Sequence, residues 1–144
     1  MSNYQTVRRA WSLYGQKGTM GQLEKEAAVR QLSDSGLFSS RQLMAISGLT
    51  FRQVSAIAKK RTSEGGRFNP DSLGPILDIY HSQHRSEHDV FLYLKAVEPG
   101  GDDVFAPTTS ALMVARLLGM PRRTVSDYVR KARALRAAQK AVNE

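Results

Sequence analysis

The chemistry available to this chain is mostly that of arginine. Arg52 and Arg123, with Arg122 beside the latter, occupy comparable places in two basic stretches, SRQLMAISGLTFRQVSAIAKK (40–60) and SALMVARLLGMPRRTVSDYVRKA (110–132). A guanidinium offers a planar fork of donors that grips a phosphate, a carboxylate or the O6/N7 edge of guanine, the last giving roughly 1–3 kcal/mol of discrimination. Other candidates are weaker. His81, His84 and His88 recur at helical spacing near Glu87 and Asp89, a donor set of the kind that holds zinc. However, Pro75 and Ser86 predict that one helix ends and another begins between them, which breaks the shared face. No metal site is expected. The chain has no cysteine, so disulfides and thiolate ligands are out of reach. No Gly-rich phosphate loop, nucleophile elbow or paired carboxylates stand out, and neither catalysis nor a cofactor is expected.

The distribution of charge sharpens the picture. The net charge is +8 over 144 residues, with a pI near 10.1, which favours a polyanionic partner. Residues 41–67 carry Arg41, Arg52, Lys59, Lys60, Arg61 and Arg67 against Glu64. Residues 68–103 reverse the sign, with Arg85 and Lys95 against Asp71, Asp78, Glu87, Asp89, Glu98, Asp102 and Asp103. Residues 116–140 then hold Arg116, Arg122, Arg123, Arg130, Lys131, Arg133, Arg136 and Lys140 against Asp127. A merely solvated basic surface would spread its charge more evenly. The hydrophobic fraction of 41% is enough for a core. The N-terminus lacks the apolar run of a signal peptide, and no stretch nears the ~18 apolar residues of a membrane span, so a cytoplasmic, nucleoid-associated protein is expected.

Helix signals dominate, so an all-α fold is expected. Val7, Ala10, Trp11 and Tyr14 predict a first helix over about residues 4–15, stopped by Gly15 and Gly18. Thr19 with Gln22 reads as a capping box for a second, with Leu23, Ala27 and Leu32 inward and Gly36 at its end. Ser39 or Ser40 caps a third helix and Thr50 a fourth, running to about Lys60. RTSEGGRFNP (61–70) is linker-like. It divides the chain into an N-terminal domain (1–62), a linker (63–69) and a C-terminal domain (70–144). Pro75 marks the first turn of the next helix. VFLYLKAV (90–97) is β-prone, so residues 90–106 read either as a helix capped at Ser86 or as a hairpin. Thr109 or Ser110 opens a helix to Leu118, and a last long one runs from Pro121 to about Ala141. On that helix Val125, Tyr128, Ala132, Leu135 and Val142 lie near one face, suited to core packing or to a dimer contact.

The two basic stretches are related to each other. A shift of 71 residues aligns Gly48 with Gly119, Arg52 with Arg123, Val54 with Val125, Ser55 with Ser126 and Lys60 with Lys131. It also aligns Leu43 with Val114, Leu49 with Met120 and Ile57 with Tyr128. This pattern suits two helices packed steeply across a tight turn. Glycine supplies the positive φ, the next apolar residue plugs the turn, and Val54/Ile57 or Val125/Tyr128 anchor the second helix. Ala115 keeps the first helix slim where the second approaches. In the first copy Met44 stands at that place and polar Ser47 at an apolar one, so a looser turn is expected there, with Ala45 sharing the contact.

In these twenty or so residues of each half the chain resembles the helix-turn-helix family of transcriptional regulators, the second copy more closely. The resemblance implies that the second helix of each unit lies in the major groove of double-stranded DNA. Its exposed face would then offer Thr50, Phe51, Arg52, Ser55 and Ala56, with Lys59 and Lys60 nearer the phosphates. The second unit would offer Pro121, Arg122, Arg123, Ser126, Asp127, Arg130 and Lys131, with Asp127 orienting an arginine. Two unlike heads on one chain imply an asymmetric site read by a monomer, with a homodimer as the alternative. The layout is similar to that of the immunity repressors of some bacteriophages that infect actinobacteria. Two other classes stay open: a phage packaging or recombination accessory protein (terminase small subunit or excision factor), and a protein-interaction module with one DNA-binding head.

Overall fold

A computed structural model of the chain describes residues 1–58, 66–82 and 89–143. Among them the fold is all-α. Its helices are α1 (Asn3–Gln16), α2 (Gln22–Asp34), α3 (Ser40–Ser47), α4 (Phe51–Ile57), α5 (Leu73–His81), α6 (Val90–Val97), α7 (Ala111–Leu118) and α8 (Arg122–Asn143). A 3₁₀ turn at Pro70–Ser72 leads into α5. No helix among the described residues is long and apolar enough to cross a membrane.

Short polar side chains start most of these helices. Ser2, Ser39 and Thr50 each form a complete capping box, in which the hydroxyl accepts from the amide of Gln5, Gln42 or Gln53 and the glutamine oxygen accepts in return. Ser110 accepts from the Met113 amide. Each cap stabilises its helix by about 1 kcal/mol. The β-prone VFLYLKAV is a helix. Val90, Tyr93, Leu94, Ala96 and Val97 are buried between α5 and α8, and this burial outweighs the local strand preference.

Three local expectations change. The Thr19–Gln22 capping box does not form: the Thr19 hydroxyl turns back to the Gln16 carbonyl at 3.0 Å, Gln22 pairs with Glu26, and Gly21 starts α2. The buried stripe of α2 is Ala28, Val29, Leu32 and Ser33, while Leu23 and Ala27 in its first two turns face solvent. On α8 the buried positions are Val125, Val129 and Ala132; Leu135 and Val142 are exposed, because the helical stripe through the buried positions continues at Arg136, which faces Glu98. Helix α4 ends at Ile57, and Lys59 and Lys60 lie outside the described residues, as do Ser86 and the seven residues 59–65.

Buried side chains from both sides of residues 59–65 form one hydrophobic cluster, and α1 packs on helices from both. Helix α1 buries Thr6, Val7, Ala10 and Leu13, packing on α2 and α3 and also on α5 and α7. Its seam with α5 is close. A methyl built on Gly74 would lie 3.2 Å from the Trp11 indole, Tyr4 meets Tyr80 at a ring separation of 5.3 Å, and the Tyr14 hydroxyl donates to Asp71 at 2.8 Å. That bond to a carboxylate, with some loss of solvation, raises the Tyr14 pKa above its ordinary value. Phe38 and Phe68, with ring centres 6.0 Å apart, make a second tie.

A buried knot of hydroxyls completes the join. Thr109 is fully buried; its Oγ1 accepts from the Asn69 amide at 2.9 Å and pairs with the Ser72 hydroxyl at 2.6 Å, and its amide donates to the Val97 carbonyl. Asn69 Nδ2 donates to the Pro107 carbonyl, and the Ser110 amide to that of Arg67. Residues 67–72 are thereby held against the entry to α7. Thr109→Val removes the hydroxyl at nearly constant volume and leaves the Asn69 amide and Ser72 unpaired in a dry site. The expected loss is about 1–3 kcal/mol in urea unfolding, largely restored in Thr109→Ser.

Candidate nucleic-acid interface

The two stretches related in sequence adopt the same path. Helix α3 ends at Gly48 (φ 75°, ψ 5°) and α7 at Gly119 (φ 67°, ψ 35°), both left-handed, and the next helix begins three residues later. Leu49 is buried and Met120 half-buried beside the core; Val54 and Val125 are fully buried, with Ile57 and Tyr128 packed partly on it.

The turns are closed by different chemistry. In the second, the Gly119 amide donates to the Arg116 carbonyl at 3.3 Å and the Met120 amide to that of Ala115 at 3.0 Å, a Schellman-type closure. In the first, only the Gly48 amide reaches back, to Met44 at 2.8 Å. The Leu49 amide donates instead to Ser47 Oγ at 3.1 Å, and that hydroxyl donates to the Leu43 carbonyl at 2.7 Å. Ser47 is fully buried yet satisfied on both sides, which explains a polar residue at a position where an apolar one is usual. Met44 packs partly on the core, and Ala45 is exposed and takes no share in the contact.

On α4 the solvent side gathers Thr50, Phe51, Arg52, Ser55 and Ala56. The Thr50 hydroxyl is engaged as the helix cap, and Phe51 is 60% exposed. Pro121, just before α8, and Arg122, Arg123, Arg130 and Lys131 on it are exposed, and Ser126 and Asp127 half-exposed. They divide between two adjoining faces. Arg122 and Ser126, with Arg133, line a cleft of about 430 Å³ together with Arg67, Ser110 and Leu112. Arg123, Asp127, Arg130 and Lys131 line the next groove, where Asp127 pairs with Arg130 at 3.1 Å. Arg67 is held by a bond from Nε to Thr108 Oγ1 at 3.0 Å. No signal near Arg67 in the sequence announces this placement beside α8, since it depends on the hydroxyl knot.

The acidic segment also has a place. Glu98 pairs with Arg133 at 2.9 Å and Arg136 at 3.5 Å, and Asp102 approaches Arg136 and Lys140 at 3.9 and 4.0 Å. The basic block of α8 is thus divided, its later cations facing carboxylates and its first three turns open. Among the described residues no group of three potential metal ligands occurs; His81 bonds to the Tyr4 hydroxyl at 3.0 Å, and His84 and His88 lie outside them.

No protein-family model, curated protein or solved structure matches this chain. Ser47→Ala would leave the buried Leu49 amide without an acceptor. A loss of about 1–3 kcal/mol is expected by urea unfolding, whereas the same change at exposed Ser55 should stay within about 0.5 kcal/mol.

Proposed function

We propose that this chain binds double-stranded DNA sequence-specifically through two helix-turn-helix units and acts as a transcriptional repressor of the phage immunity type. The observation that carries the reading is the repeated left-handed glycine turn, each copy presenting to solvent a helix whose first turn carries arginine, Arg52 in one and Arg122 with Arg123 in the other. Such a helix end reaches base edges in the major groove. Arg52, Arg122 and Arg123 are the candidates for reading guanine, and Arg130 and Lys131 lie where phosphates would pass. Asp127 is paired with Arg130 and acts as its positioning residue. The two heads carry different side chains, so the site they read together is asymmetric and needs no second copy.

A second reading keeps only the C-terminal head on DNA and gives the N-terminal unit a protein partner. It draws on Phe51, an exposed aromatic at the leading turn of α4.

Selection of bound duplexes from a random pool near physiological salt distinguishes the two. The expected result is a long asymmetric motif, one half lost in Arg52→Ala and the other in Arg123→Ala. Retention of the whole motif in Arg52→Ala supports the single head, and a pool with no enriched sequence sinks the repressor. If both heads engage, about 6–8 phosphate contacts should lower affinity about 10³–10⁵-fold between 50 and 200 mM salt.

A further inference from the structure

Helix α1 touches both turns. At its start Asn3 Nδ2 donates to the Arg116 carbonyl at 3.4 Å, and a methyl built on Gly119 would lie 3.4 Å from that same nitrogen. Just past its end, a methyl on Gly48 would lie 3.7 Å from Lys17 Cδ. The Lys17 side chain is itself placed, with Nζ 4.5 Å from the centre of the Tyr14 ring. Asn3 and Lys17 stand fourteen positions apart on continuous helical backbone. At 1.5 Å and 100° per residue they are about 21 Å apart along the axis and within about 40° of the same azimuth. Both turns therefore sit on one side of α1, at its two ends. The helix is braced against α5 by Trp11 over Gly74 and by the Tyr14–Asp71 bond.

We infer that α1 is a spacer that sets the distance and angle between the two heads. The substrate is then one duplex with two unlike half-sites at a single spacing, and the length of residues 59–65 does not set that spacing. This rests on the DNA-binding reading above. One base pair moves a half-site by about 3.4 Å and about 35° around the duplex. A braced spacer cannot follow both displacements at once; two heads on a tether could.

The test combines a distance measurement with a panel of duplexes. The chain has no cysteine, so Ala45→Cys and Lys95→Cys place spin labels on α3 and α6, at exposed positions away from the proposed reading residues. In the free full-length protein a narrow distance distribution is expected. It should be unchanged when Gly-Ser-Gly-Ser is inserted between Ser63 and Glu64, and broadened in Trp11→Ala. On duplexes in which the selected half-sites are moved apart or together one base pair at a time, one spacing should be preferred at least tenfold over its neighbours, with and without the insertion. A broad distribution in the free protein, equal binding across spacings, or an optimum that moves with the insertion overturns the spacer. If no sequence is selected at all, the DNA reading fails and the duplex falls with it, while the label distances still decide whether α1 holds the two units apart.

Discussion

Helix α1 has to bury a single face against both halves of the chain at once. Its apolar residues Val7, Ala10 and Leu13 form a stripe too narrow to serve two separate cores, and a helix of fourteen residues leaves that stripe in water unless helices from both sides close over it. Each fully buried Val or Leu contributes about 1.5–3 kcal/mol, and that gain is lost if the halves separate. The close approach of Trp11 to Gly74 and the tyrosine contacts with α5 follow from this packing. So does the placement of the two glycine turns at opposite ends of one rod.

Polar groups trapped by this packing are satisfied locally. The Ser47 hydroxyl replaces a carbonyl acceptor in the first turn, and Thr109 with Asn69 and Ser72 replaces water where residues 67–72 meet the entry to α7. These groups are costly to desolvate unpaired, and each marks a place where two elements approach closely. They also show why the two turns, alike in path, differ in sequence. A turn closed by two backbone bonds needs no hydroxyl, and one closed by a single backbone bond does.

Charge is apportioned by the same geometry. The acidic residues between the two basic stretches could have been a repelling belt or a separate surface. Glu98 and Asp102 instead lie along the later turns of α8 and offset Arg133, Arg136 and Lys140. These pairs are exposed and individually weak, in the range of 0–1 kcal/mol. Their larger effect is on where the positive field sits: along the first three turns of α8, where Arg122, Arg123, Arg130 and Lys131 are exposed.

Much of this was legible in the residues themselves. The all-helical class, the glycine at each turn, the caps at Ser39 and Thr50, and the exposed arginines all follow from signals within a few positions of one another. Capping, positive φ and helical periodicity are local physics. Where two local solutions competed, tertiary contacts chose between them. Thr19 turned to the preceding helix, Leu23 faced solvent, and VFLYLKAV became a helix because α5 and α8 cover its apolar side. The placement of Arg67 beside α8, the pairing of the acidic segment and the role of α1 join residues tens of positions apart. Periodicity announces that a face must be buried but is silent on what buries it; only the packed chain supplies the partner.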